Sequence, residues 1–349
     1  MSLMIANPVA PASSMSNPSS GRRYALHGYP LELDIDPGPL AGEVERVLGE
    51  FAVSDLPDGF NAIRGSVRPY DQAEVAKHLS PTAVPFADNR ALLELYHEGE
   101  RFWLIDDRWG MVELNLVKGT WKAWVLPTGV RRTDNLRLAE MAALWPMAQL
   151  LRPRGLHLLP AAAVAKDGVG MLILAPFGIE PELVTLLRHG YKLIAQRWVA
   201  IREDDGKLAL LHLPGIVERS HGPRFGGSAG GVRPDWVDLE AEHLSCRQHH
   251  AFLSAAVVIQ PGRHPDPRIR ELAAVEGLDA LRRAWPIVEL HPQRRQGMLA
   301  ARMLDRVRIT EVELSRDPQD LVRMLDRLTR PAPTVTIEML GPVPQRMSA

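Results

Sequence analysis

The sequence predicts an α/β protein, in which a mixed-sheet domain follows a smaller α+β domain. Three observations carry this. Residues 155–199 run strand, loop, helix, strand, with short continuous apolar strands of the buried kind. Residues 92–126 hold two hairpin signals. The chain has 349 residues, which fits two domains better than one. The expected division is a disordered leader at 1–22, an N-terminal domain at 23–133, a second domain at 134–330 and a tail at 331–349.

In the first domain, residues 24–35 alternate as a strand does. Residues 39–51 have helical spacing, with Leu40, Val44, Val47, Leu48 and Phe51 apolar. Residues 92–96 and 101–105 flank the turn residues His97, Glu98, Gly99 and Glu100. Residues 111–117 and 121–126 flank Lys118, Gly119 and Thr120. The expectation is a small antiparallel sheet with at least one helix. Asp134 is a candidate N-cap for a helix that runs to Leu151 and is ended by Pro153.

The second domain begins with an apolar segment at 155–164 and a turn at Lys166, Asp167 and Gly168. Residues 170–175 form a strand and 176–180 a loop. Pro181 suits the first position of a helix, and Gly190 suits its C-terminal cap. Strands follow at 191–195, 198–202, 208–213 and 252–260. Helices are expected at 267–285 and 293–304, then a strand at 307–314. Asp317 caps a last helix with Leu321, Met324, Leu325 and Leu328 on one face. An edge strand at 334–339 would lie in the tail.

Composition narrows function by exclusion. Net charge is -1, so the basic domain that nucleic-acid binding needs is missing. No run approaches the ~20 apolar residues of a membrane span. The single cysteine, Cys246, rules out an intramolecular disulfide framework. The first 22 residues lack the pattern of a secretory signal. The cytoplasm is the default compartment.

Three segments carry a resemblance. Residues 154–168 (RGLHLLPAAAVAKDG) are similar to the start of the C-terminal domain of HPr kinase/phosphorylase. Residues 186–194 (LLRHGYKLI) resemble the segment after that family's P-loop helix, and residues 312–326 resemble the end of HPr-kinase-related proteins. The resemblance spans about residues 136–329. It implies a P-loop kinase-like fold of the HPr kinase / PEP carboxykinase kind.

The residues of the chemistry do not follow the resemblance. A P-loop cradles phosphate on glycine N–H groups, reaches it with a Lys and offers Mg²⁺ a Ser/Thr hydroxyl. The matching segment is Ala175 followed by Pro176, Phe177, Gly178, Ile179, Glu180, Pro181 and Glu182. Only Pro176 and Gly178 fit the family pattern. Glu180 and Glu182 put negative charge at a helix N-terminus, where they suit the dipole themselves and repel phosphate. Pro160 stands where the family has a His. Gln196 and Arg197 stand where it has acidic base and metal residues. The expected function is therefore a pseudokinase, with no catalytic residues and no cofactor. It would act as a binding or scaffold subunit. The resemblance implies a protein or peptide partner and a homo-oligomer. The alternative is an enzyme of the same fold with a repurposed site, built from His157, His189, Arg197 and the group from His243 to His250, acting on a phosphorylated or peptide substrate.

Other patterns have plainer explanations. His243, Cys246 and His250 would share one face of a helix and offer ligands zinc accepts. Their spacing matches no standard zinc motif, and they read first as a partly exposed polar helix. Cys246 with His249 or His250 as base is a candidate nucleophile, against the ordinary behaviour of a lone inert thiol. The glycine-rich residues 226–231, with Arg224 nearby, read as a loop or an anion cradle. Trp103, Trp109, Trp121 and Trp124 read as core or as an aromatic peptide-binding face.

Overall fold

The computed structural model describes residues 21–57, 61–85, 94–106, 108–126, 138–175, 179–214, 217–219, 235–237, 246–261, 267–284, 296–314, 317 and 319–329. The chain divides into two compact units, 1–87 with 93–146, and 88–92 with 147–349.

The first unit is built on one eight-stranded sheet. Its strands are β1 (Arg22–Leu26), β2 (Tyr29–Ile35), β3 (Ile63–Pro69), β4 (Val84–Pro85), β5 (Glu94–Glu98), β6 (Arg101–Asp106), β7 (Gly110–Asn115) and β8 (Thr120–Val125). Their order is β1-β2-β3-β8-β7-β6-β5-β4. The expected single strand at 24–35 is a hairpin. His27 and Gly28 both take positive φ, 50° and 90°, and so turn the chain back on itself. The expected antiparallel sheet is mixed, because β2–β3 and β3–β8 are parallel. Helix α1 (Pro39–Leu48) makes the crossover that the β2–β3 pairing needs and buries Val44, Val47 and Leu48. Helix α2 (Gln72–His78) is capped by Asp71, whose carboxylate accepts from the Ala73 and Glu74 amides. Val75 of α2 packs with Trp103, Met111 and Trp124.

Trp103, Trp109, Trp121 and Trp124 are all buried, so they form core and no exposed aromatic face. Trp103 donates its indole N–H to the His78 carbonyl at 3.0 Å. Trp121 donates to the Ala142 carbonyl at 2.9 Å. The helix that carries Ala142 is α-helical at Leu138 and Ala139, widens into a π turn at Glu140–Leu144, and continues as α3 (Trp145–Leu151). The division between units falls inside α3, between Pro146 and Met147. The proposed cap Asp134 lies outside the described residues, as do residues 1–20 of the leader and the tail from 331.

The second unit has a nine-stranded sheet. Its strands are β9 (Leu156–Leu159), β10 (Ala162–Lys166), β11 (Val169–Leu174), β12 (Lys192–Ala195), β13 (Val199–Asp204), β14 (Lys207–Leu211), β17 (His250–Pro261), β18 (Arg268–Glu271) and β19 (Arg308–Leu314). The order is β12-β10-β11-β17-β14-β13-β9, with β19 on β17 and β18 on β19. Strands β15 (Val217–Arg219) and β16 (Asp235–Val237) form a separate pair. The β11–β17 and β17–β19 pairings are parallel and the rest antiparallel, so this sheet too is mixed.

Helices cover both faces. Ala280 and Leu281 of α5 (Ala274–Ala284) and Leu299 and Met303 of α6 (Gln296–Arg306) pack on one face. Leu183, Leu186 and Leu187 of α4 (Glu180–Arg188) and Leu321, Met324 and Leu325 of α7 (Gln319–Thr329) pack on the other. The expected single helix at 267–285 is a strand followed by a helix, since Arg268–Glu271 pairs with β19. The expected segment 155–164 is two strands, and Pro160, which has no N–H for a ladder, falls in the gap between them.

Candidate functional site

The parallel strands β11, β17 and β19 end at one edge of the second sheet. Strand β12 is antiparallel to β10, which is antiparallel to β11, so β12 ends at that edge too. The carboxyl edge of such strands is where α/β sheets place ligands. Two features of this edge bear on the expected phosphate site.

One is the start of α4. Its first intrahelical bond runs from the Leu183 amide to the Ile179 carbonyl at 2.9 Å, and no side chain caps it. Glu182 sits in this first turn and is only 1% exposed. The helix end that a P-loop offers to phosphate therefore has a carboxyl of the chain buried in its first turn. The far end closes with Gly190 at φ 84°, where Gly190 and Tyr191 donate to Leu187 and Leu186 as a glycine cap requires. Pro176, Phe177 and Gly178 lie outside the described residues.

The other is the end of β12. Gln196, at an expected acidic position, is buried at 4% exposure, and Arg197 follows it half-buried. Next to them lies His212, a residue that sequence reasoning missed. Its Nδ1 is 2.6 Å from the Ile194 carbonyl and must donate, because a carbonyl only accepts. Its Nε2 is 2.5 Å from the Arg247 guanidinium and accepts. Both nitrogens of a neutral imidazole are thus engaged, which suits a structural tie and not a free base. The Gln248 amide donates to the Leu193 carbonyl at 2.8 Å, and Leu213 bridges Ala195, so chain from two loops closes over β12. No sequence signal short of the fold pairs His212 with Arg247, 35 residues away.

The remaining sequence candidates do not gather here. His189 lies at the C-terminal end of α4, with Nδ1 on the Thr185 carbonyl at 2.8 Å. A nine-residue helix places that roughly 13 Å from the N-terminal end. His157 is on β9, at the other end of the strand order from β12. The helix proposed through 243–250 does not run through its described part: Cys246 is in a 3₁₀ turn and residues 247–250 are not helical. Arg247 bridges Leu193, and His250 opens strand β17, where it meets Phe252 edge-on. Cys246 is half-buried against the core beneath α4 and α7. His243 and the glycine-rich 226–231 with Arg224 lie outside the described residues. Among the described residues no group of three or more His, Cys, Asp or Glu is placed to hold a metal. In the first unit, a cavity of about 720 Å³ is lined by Arg22, Arg23, Arg64, Glu32, Asp34 and Glu45, among others. Its arginines are matched within the chain, Arg64 to Glu32, Arg22 to Glu45 and Arg23 to the Ser54 carbonyl.

The scaffold beside α4 is held by a buried tyrosine. Tyr191 is fully buried and donates to Asp326 of α7 at 2.7 Å, while Lys166 reaches the same carboxylate oxygen at 2.7 Å and lies over the tyrosine ring. Burial first, and then the Asp326 charge, push the Tyr191 hydroxyl well above the ordinary tyrosine range. In the first unit, burial and Glu45 push Tyr24 up to about 12. A folded-state value above the unfolded value, about 10, means that the unfolded chain loses its proton first. Both tyrosines therefore contribute stability that is complete below pH 10 and fades as pH rises above it. Urea midpoints measured from pH 9 to 11.5 are expected to fall, and to fall less steeply in Tyr191→Phe and Tyr24→Phe. Parallel slopes in wild type and variants would contradict this.

No helix among the described residues is long and apolar enough to cross a membrane. No protein-family model and no curated protein matches the chain. Among solved structures it is similar to the Hpr(Ser) kinase/phosphatase from Coxiella burnetii, at 12% identity over 49% of this chain and 87% of that one, with a TM-score of 0.30.

Proposed function

We propose that this chain is a non-catalytic HPr-kinase-like protein that acts as a binding or scaffold subunit for a protein or peptide. The observation that carries the reading is Glu182, a carboxyl buried in the first turn of α4, the helix end that would otherwise receive phosphate. Gln196 and Arg197 support it, because neither carries the carboxylate that serves as base or acidic metal ligand in phosphoryl transfer. The sequence resemblance supplies the fold family and, with it, the class of partner and a homo-oligomeric state. Within the second unit, β11 and α4 serve to hold the sheet edge and present it.

Ligand binding to the native state must raise its stability, by about 2.7 kcal/mol at a hundredfold excess over Kd. A thermal-shift titration with Mg-ATP to 5 mM is therefore expected to leave Tm unchanged. A saturable rise would overturn the reading. For the scaffold role, native mass spectrometry of the chain isolated from its own cells is expected to show a stoichiometric protein or peptide partner. A bare chain across preparations would count against it.

A further inference from the structure

Pro146 is the second residue of α3 and has no amide N–H. In an uninterrupted α-helix that missing donor would serve the carbonyl of Ala142, four residues earlier. The proline ring would also crowd that carbonyl. The chain responds in two ways. Before the proline the helix widens, so that the Trp145 amide donates to the Glu140 carbonyl, five residues back. The Ala142 carbonyl, which Pro146 cannot serve, receives a bond from outside the helix, the indole N–H of Trp121 on β8 at 2.9 Å. Ala142 is fully buried and Trp121 is 2% exposed, so water does not stand in for this donor. The indole has room because its cross-strand partner on β3 is Gly65, which has no Cβ.

We infer that Trp121 is a latch. Its indole replaces the donor that Pro146 removes and fixes the Glu140–Leu144 turn in its wide form on the first sheet. A helix interrupted by proline normally bends at the freed carbonyl. Here that carbonyl is tied down, one turn before the point where the chain passes from the first unit into the second. The latch holds the helix in its widened form at Glu140–Leu144, and release of the indole frees that turn. The inference is independent of any kinase resemblance, since it rests on the first unit and its helix alone.

A double-mutant cycle tests it. Trp121→Phe keeps an aromatic six-membered ring and removes the N–H together with the pyrrole ring that carries it. Pro146→Ala returns a backbone N–H within reach of Ala142. A buried carbonyl left without a donor costs about 10- to 100-fold in a folding equilibrium. Trp121→Phe should show such a loss at the amides of 140–145 in native-state hydrogen exchange, and at least fivefold less of it when Pro146→Ala is also present. Equal losses in both backgrounds would mean that Trp121 acts by packing alone and would overturn the latch. If the Phe variant does not fold, the single variant Pro146→Ala still decides. Its restored N–H competes for Ala142, so among the indole N–H signals of ¹⁵N-tryptophan-labelled protein one slowly exchanging signal should exchange at least tenfold faster than in wild type. No indole signal changing by more than twofold would overturn the latch.

Discussion

Gly65→Ala is expected to destabilise the first unit by about 3 kcal/mol, near the upper end of ordinary overpacking. A Cβ on Gly65 would lie 2.1 Å from Cζ2 of Trp121, 2.3 Å from Cε2 and 2.4 Å from Cη2. No carbon tolerates such contacts, so the ring or the strand must move. The ring is rigid, buried and tied through its N–H to Ala142, and β3 is held on both sides by parallel ladders to β2 and β8. The entropy that alanine removes from the unfolded chain returns only about 0.4–1 kcal/mol. Hydrogen exchange at the β3 and β8 amides is the direct measurement, because it reads the first unit without assuming that the whole chain unfolds as one. The change should also loosen the amides of 140–145, since a displaced indole releases Ala142. Protection within threefold of wild type would show that the sheet absorbs the methyl group and that the close Gly65–Trp121 packing is not a constraint.

Gly65 also shows what can be read from the sequence and what cannot. Ile63, Gly65 and Val67 alternate with Arg64, Ser66 and Arg68 as a half-buried strand should. A glycine and three polar residues hide that alternation, because the burial at position 65 belongs to Trp121, which comes 56 residues later. The hairpins around Gly99 and Gly119 are legible, since their turn chemistry is local. The turn at His27–Gly28 is equally local, but it sits inside one continuous apolar alternation and so reads as a single strand. Parallel pairings are legible nowhere, because a strand's own residues do not state which neighbour it takes. At the candidate site, the absence of Lys, Ser and Thr from Ala175 to Glu182 is plain in the sequence. The burial of Glu182 and the His212–Arg247 tie depend on chain segments that come together only in the fold.

The strand that leads into that site depends on a second glycine, and Gly170→Ala is expected to cost about 3 kcal/mol in the second unit. A Cβ there would lie 2.6 Å from the Phe252 carbonyl oxygen and 3.1 Å from both the Ala251 Cβ and the Leu210 Cδ1. The closest of these is backbone, so no side-chain rotation relieves it. Gly170 also lies where the β11–β17 register shifts, since Gly170 faces Leu253 while Met171 faces Ala255. A glycine at such an irregularity lets two backbones approach closely. Forcing them apart would open the pairing next to Met171, Leu172, Ile173 and Leu174, all buried and all directly before the connection to α4. The nearby Gly168→Ala is the control. That residue has φ 80° and nothing within 4 Å of its Cβ position, so its substitution meets only the left-handed backbone cost of about 1 kcal/mol. If the structural argument holds, Gly170→Ala loses protection along β11 and β17 by at least tenfold more than Gly168→Ala. Equal losses would locate the constraint in backbone conformation and not in the approach of β17. The edge on which Glu182 and Gln196 sit would then owe nothing to the width of this parallel pair.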